Sequence, residues 1–166
     1  NHDRAFQWAC ECRDRGRIDH PAVIGSVIDL GHCLNLTDSS SIDLLKREYE
    51  MLKAELDMIG QPLPRNIPLK GSTDLLIRRL DCAVVEHLHE SINAALSEQA
   101  WSKEVGDLRP FDSVRGVFIE VEPLYENSGF YAKSHIQICA RNPNCIKGYF
   151  IPRKKNGSVR PQLTYR

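Results

Sequence analysis

Read from its amino end, the chain sorts its apolar residues into two alternating periods. Residues 3–13 already carry a helical spacing. Residues 23–30 are rich in β-branched side chains and predict a strand that stops at Gly31, with Ile24, Ile28 and Leu30 sharing a face with Ser26. The run 37–41 then offers several helix N-caps. Behind it Ile42, Leu45, Tyr49, Leu52, Leu56 and Ile59 recur at steps of three and four, one apolar stripe that Gly60 closes. Pro62, Pro64 and Pro68 make residues 61–71 a connector. Ser72 or Thr73 can cap a second long helix reaching about Leu96, striped by Leu76, Leu80, Val84, Leu88, Ile92 and Leu96. After a break over 97–112 the period returns to two: strands are predicted at 114–121 and 134–140, and a short last one at 149–151. The loop between the first two, residues 122–133, holds Pro123, Asn127 and Gly129; it is too long for a tight hairpin and is a candidate functional loop.

This order predicts an α+β domain: a small mixed or antiparallel sheet packed by two long amphipathic helices, with no internal repeat. At 166 residues, 42% hydrophobic and 27% charged, the chain can bury one core. Residues 1–152 are expected to form that single domain. Because residue 1 is Asn, the helix begins at once and the sheet lacks obvious early partner strands, the domain is expected to be incomplete at its amino end, although a deliberately trimmed protein gives the same pattern. The 22 basic and 22 acidic side chains cancel, which removes a global field for nucleic acid or an anionic membrane. Residues 153–166 break that balance with five basic residues and no acidic one; a solvated tail is the simple expectation, a phosphate-binding tail the sharper one. No apolar run approaches the roughly 20 residues of a bilayer span. Six cysteines without a Cys-x-x-Cys pair point to reduced thiols in the cytoplasm, and Cys10 and Cys12 are spaced poorly for zinc, so no metal is expected.

Chemistry concentrates on the late strands. Alternation over 134–140 puts Ile136 and Ile138 on one face, taken as the core side, and His135, Gln137 and Cys139 on the other. Two polar side chains on adjacent same-face positions invite a ligand, although a solvent-wetted face has the same pattern. On the strand before it, Arg115 and Glu120 have opposite parity, so only one can join His135 and Gln137; Gly116 is a candidate for close backbone approach. His87 and His89, two apart on a helix, cannot form a metal pair, and His20 and His32 flank the first strand. Phosphate-binding glycine loops, a Gly-x-Ser-x-Gly elbow and a His-Glu-x-x-His helix are absent from the sequence.

The segments PAVIGSVIDLGHCLNLTD (21–38), VRGVFIE (114–120), SHIQIC (134–139) and KGYF (147–150) resemble a family of mostly uncharacterised bacterial and phage proteins related to the ADP-ribosyltransferases. The resemblance covers nearly the whole chain. It implies half of a split-sheet fold gripping NAD, in which a histidine, a tyrosine and a third residue, usually Glu, come from successive strands. The first two belong to His-Gly-Thr-like and Gly-x-Tyr-Phe-like runs ahead of a helix like residues 3–13, and neither run is present here. The third position falls on residues 134–140, which offer Ser134, His135 and Gln137 but no Glu. A carboxylate there would stabilise the positive charge that grows on the sugar as nicotinamide leaves; neutral Gln137 can hydrogen-bond a ribose hydroxyl but helps that charge less. The resemblance thus implies Gln137 as the positioning residue, His135 as its support, Glu120 as a nearby carboxylate, and Ser134 and Arg115 as contacts to NAD. The expected activity is NAD-dependent ADP-ribosyl transfer or NAD hydrolysis by the intact protein and none by this chain alone, with NAD and an unidentified acceptor as partners. The alternative is a non-enzymatic interaction module using the helices and the 122–133 loop.

Overall fold

The computed structural model describes residues 2–14, 19–68, 75–99, 109–120 and 122–152. The elements in order are α1 (His2–Asp14), β1 (Gly25–Ile28), β2 (Cys33–Asn35), α2 (Ser39–Met58), β3 (Asn66–Ile67), β4 (Ile77–Arg78), α3 (Arg79–Gln99), β5 (Ser113–Phe118), β6 (His135–Ala140), a single 3-10 turn (Pro143–Cys145) and β7 (Ile146–Phe150). The protein is of the α+β class, with small antiparallel and mixed sheets beside three helices among the described residues. Its described residues group into two compact units: the larger lies within Leu30–Cys145, and the smaller joins the chain before Leu30 to the chain after Cys145. The basic tail at 153–166 lies outside the described residues. No described helix is long and apolar enough to cross a membrane.

In the smaller unit β1 and β7 pair antiparallel, with Gly25 opposite Phe150. The Phe150 ring lies over Gly25 so closely that a Cβ there would come within 2.3 Å of it, so glycine is required by an aromatic neighbour. The last strand therefore begins at Ile146, earlier than the apolar pattern at 149–151 indicates.

The larger unit is built on a three-stranded sheet in the order β2-β5-β6, parallel between β2 and β5 and antiparallel between β5 and β6. A parallel pair needs a crossover, and α2 and α3 lie within it. Leu34 of β2 and Val114 of β5 are register partners. Leu34 is 0% exposed and packs with Leu88 and Ile92 of α3, while Leu36, Leu44, Leu45, Leu96, Phe111 and Val114 pack around them. The sheet face of Val114 is thus the helix side. In the β5–β6 register Val114 meets Cys139, Gly116 meets Gln137 and Phe118 meets His135, so His135 and Gln137 share that side. Ile136 and Ile138 belong to the other face, 52% and 42% exposed beside Val117 at 50%. The expectation that Ile136 and Ile138 mark the core side is therefore reversed. Alternation defines two faces, and the side on which the crossover helices lie decides which is buried.

Helix boundaries follow from their caps. At the end of α2, Gly60 takes φ +67°. Its N–H reaches the Asp57 carbonyl at 3.2 Å while that of Gln61 reaches Leu56 at 2.9 Å, a Schellman closure. The start of α3 is capped from a distance: Asn66 Oδ1 in β3 accepts the N–H groups of Leu80 at 2.9 Å and Asp81 at 3.3 Å. Ser72 and Thr73, the expected caps, lie outside the described residues. On α2 the expected stripe is shifted, since Ile42 and Ile59 are exposed while Glu48 is buried with Leu52.

Glu48 is tolerated there because α3 answers it. His87 donates from Nδ1 to Glu48 at 2.7 Å and from Nε2 to Glu55 at 3.0 Å, and Ser91 donates to Glu48 at 2.7 Å. Burial alone lowers the His87 pKa, but the hydrogen bonds from its ring to Glu55 and Glu48, with their charges, outweigh it and hold the pKa above the ordinary imidazole value of 6.5. A buried acid and base thus join the two helices as an ion triad.

Asp112 organises the end of the sheet. Its Oδ2 accepts the His32 N–H at 2.8 Å and its Oδ1 accepts Asn142 Nδ2 at 2.8 Å, and its carbonyl accepts the N–H groups of Arg141 and Asn142, both at 2.9 Å. The Asn142 and His32 bonds hold its carboxyl below the usual range, so its contribution to stability is present above that range and lost as pH falls through the lowered value. Gly31, at φ +58°, passes so near that a Cβ would meet Asp112 Oδ2 at 2.5 Å.

Leu34→Ala is expected to lower the unfolding free energy by about 2–5 kcal/mol, read from a shifted urea midpoint at constant slope; a loss below about 1 kcal/mol would place the core elsewhere. The His87 triad makes stability fully present below the unfolded imidazole value and lost as pH rises through the higher folded one. His87→Gln should therefore flatten the decline of the urea midpoint as pH rises above the ordinary imidazole value, and parallel wild-type and variant profiles would show that the bridge carries no charge.

Candidate functional site

The β6 strand lies at the edge of its sheet, so its first residues are open on one flank among the described residues. His135 Nδ1 lies 2.8 Å from the Lys133 carbonyl, which can only accept, so Nδ1 carries the proton and Nε2 the lone pair. Gln137 Nε2 lies 2.7 Å from that His135 Nε2 and donates to it. The bond fixes the Gln137 amide, leaving its Oε1 and second N–H available to a ligand. His135 also stacks on Phe118, with centroids 6.0 Å apart and planes at 26°. The Arg78 guanidinium sits 4.4 Å from the Phe118 centroid. Arg78 is paired to Asp81 at 3.3 Å, with both side chains partly open to solvent. One sheet face thereby presents a cation, two stacked rings and an oriented amide.

Four of the five predicted site positions fall at this end of the β5–β6 pair. His135 is half-buried and Gln137 and Ser134 are exposed. Glu120 lies two residues beyond the end of β5, with the parity of Phe118 and its carbonyl accepting the Lys133 N–H at 3.3 Å. Arg115 does not join them. It belongs to the opposite face, where its Nη1 donates to Asn35 Oδ1 at 2.9 Å and Thr37 Oγ1 at 3.3 Å. Gly116, opposite Gln137, marks no backbone approach: the nearest atoms to a Cβ there are side-chain atoms of Phe118 and Leu36 at 3.4 and 3.6 Å. Phe118 and Arg78 were not singled out from sequence. Phe118 shares parity with Gly116 and was legible in principle; Arg78 depends on the β3–β4 pairing, which its neighbours in sequence do not announce.

The 122–133 loop is an extended hairpin with a turn at its tip. Pro123 bridges Tyr131, Leu124 N–H meets the Phe130 carbonyl at 2.9 Å, and Ala132 N–H meets the Glu122 carbonyl at 3.2 Å. Its tip turns at Asn127, φ 60°, and the Ser128 hydroxyl both accepts the Phe130 N–H at 3.0 Å and donates to the Phe130 carbonyl at 3.1 Å. Leu124, Tyr125 and Phe130 stand exposed there. Among the described residues no group of three or more His, Cys, Asp or Glu is arranged to hold a metal. No family model, curated protein or solved structure matches the chain.

Gln137→Ala should shift the His135 Nε2 nitrogen resonance while the Nδ1 proton bonded to Lys133 persists, with stability changed by no more than about 0.5 kcal/mol because Gln137 is exposed. An unmoved Nε2 resonance in the variant would mean that the amide is not held there.

Proposed function

We propose that the face carrying Arg78, Phe118, His135 and Gln137 is one wall of an NAD-binding surface, and that the protein acts in NAD-dependent ADP-ribosyl transfer or NAD hydrolysis. The observation that supports this reading best is the hydrogen bond from Gln137 to His135, which orients an exposed amide beside an aromatic stack and a cation. The sequence resemblance to ADP-ribosyltransferases directs attention to the same strand. When NAD is bound, its chemistry is departure of nicotinamide with positive charge growing on the ribose. Toward that, Gln137 offers an acceptor and a donor to ribose hydroxyls, Arg78 offers charge to the diphosphate, and Glu120 is the carboxylate nearest in register. Arg115, engaged on the other face, has no part in this surface.

A second reading, a module that binds a protein partner, is favoured by the exposed Leu124, Tyr125 and Phe130 on a turn stiffened by its own hydrogen bonds.

Calorimetric titration of the chain with NAD and with ADP-ribose is expected to give saturable binding, weakened roughly three- to tenfold by Gln137→Ala, the worth of one hydrogen bond. A silent titration, with no change in the amide resonances of residues 134–138, sinks the proposal; concentration-dependent self-association in the same samples would favour the second reading.

A further inference from the structure

The flank of β6 that faces away from β5 carries a row of backbone groups whose direction the β5–β6 bonds fix. The Arg141 N–H donates to the Asp112 carbonyl at 2.9 Å and the Lys133 N–H to the Glu120 carbonyl at 3.3 Å, so the odd-numbered residues turn their backbone groups toward β5. The pairing holds one register from His135 to Ala140. Ser134, Ile136, Ile138 and Ala140 therefore turn their N–H and C=O groups outward. No strand pairs with that flank among the described residues. The side chains beside it are open as well: Ile136 is 52% exposed and Ile138 42%, and Gln137 and Cys139 are exposed between them and beyond.

Edge strands that stay apart are guarded by lysine or another charge, by proline or by a bulge. The run SHIQICA (134–140) has no Lys, Arg, Asp, Glu or Pro, and its register is regular. A strand without such charges has nothing with which to select a foreign sequence, but it meets a copy of itself with no like-charge clash. It also has the symmetry for that encounter. Ile136 and Ile138 stand on either side of Gln137, so a two-fold axis through Gln137 sets Ile136 of each copy opposite Ile138 of the other. Both residues face their backbone groups outward, so each such pair exchanges two hydrogen bonds while its isoleucines meet across the strands. An axis through Ile138 instead would set Ile136 against Ala140 and lose that match. At the ends, Lys133 of one copy falls opposite Arg141 of the other, and the Arg141 charge is already met by both Glu86 oxygens at 2.6 and 3.1 Å.

We propose that the chain forms a two-fold dimer by antiparallel pairing of β6 with β6 of a second copy, which joins two three-stranded sheets into one. Gln137 lies at the axis, and the bonded pairs are Ile136 with Ile138 and, further out, Ser134 with Ala140. The interface uses the outward backbone of β6 and the sheet face on which Val117 backs Ile136 in register. His135 and the Arg78–Phe118 stack belong to the other face, so the dimer does not depend on the reading proposed for them.

Sedimentation equilibrium of the full chain is expected to show a monomer–dimer equilibrium, with the dimer formed below about 1 mM. In the dimer the amides of Ile136, Ile138 and Ala140 should exchange with solvent at least about tenfold more slowly than in dilute solution, whereas those of Gln137 and Cys139, bonded to β5 in both states, change little. Ile136→Lys and Ile138→Lys, both at open positions on the strand, should each weaken dimerisation at least about tenfold and leave the fold intact. Phe130→Ser, on the 122–133 hairpin, should leave dimerisation unchanged. In a mixture of differently labelled chains, contacts between Ile136 methyls of one copy and Ile138 methyls of the other would establish the register. A chain that stays monomeric to about 1 mM overturns the proposal. Self-association that Phe130→Ser abolishes and the lysine variants spare does so too, as does a dimer whose Ile136 and Ile138 amides exchange as fast as in the monomer. The exchange measurement uses the unaltered chain and decides the matter even if a lysine variant fails to fold.

Discussion

The carboxylate of Asp112 is the constraint on which the larger unit depends. Between them, its side chain and backbone reach the entry to β2 through His32, the start of β5 on which it sits, and the exit from β6 through Arg141 and Asn142. Those three points are far apart in sequence; the 122–133 hairpin joins β5 to β6 at their other end, but the parallel β2–β5 pair has no turn of its own to hold it in register. The residue next to it supports the same task, since the buried Ser113 hydroxyl donates to the Leu30 carbonyl at 2.6 Å. Once this end is fixed, Leu34 and Val114 fall opposite one another, and their face becomes the one the helices cover.

Much of the architecture was legible because it rests on local periodicity. The stripe Val84, Leu88, Ile92 lies buried on α3 as its spacing predicts, and Gly60 ends α2 through a left-handed closure that only its own neighbours need. What was not legible depends on residues distant in the chain. The three-residue strand β2 is too short to show alternation and exists because β5 lies beside it. The start of α3 is set by Asn66, which sits 14 residues before Leu80 and has no local mark of a cap. Buried Glu48 looks like a solvated position until His87 is placed against it.

The candidate site divides in the same way. Period two was enough to put His135 and Gln137 on one face and to set Arg115 and Glu120 apart. It could not say which face the helices would take, and the apolar side chains Ile136 and Ile138 pointed to the wrong one. An edge strand permits this inversion. Beyond Val114 and Cys139 the helix side is covered only in part, by Arg78 over Phe118, so polar residues remain tolerable there while isoleucines on the far face remain exposed. The candidate site lies on the portion of the sheet where burial constrains sequence least, and the hydrophobic pattern is least informative in that portion.

The two histidines of α3 show how much their surroundings decide after spacing has separated them. Two residues apart, His87 and His89 point to different neighbours, as any such helical pair must. His87 meets two carboxylates of α2 and donates to both, so its charged form is built into the helix pair. His89 meets a carbonyl of its own helix on one nitrogen and the edge of Phe111 against its ring, which leaves a lone pair buried on the other nitrogen. The first has both ring nitrogens satisfied within the protein and serves stability. The second has one ring nitrogen bonded within its own helix and the other without a hydrogen-bond partner among the described residues, a cost of about 1–3 kcal/mol that its packing against Phe111 has to offset.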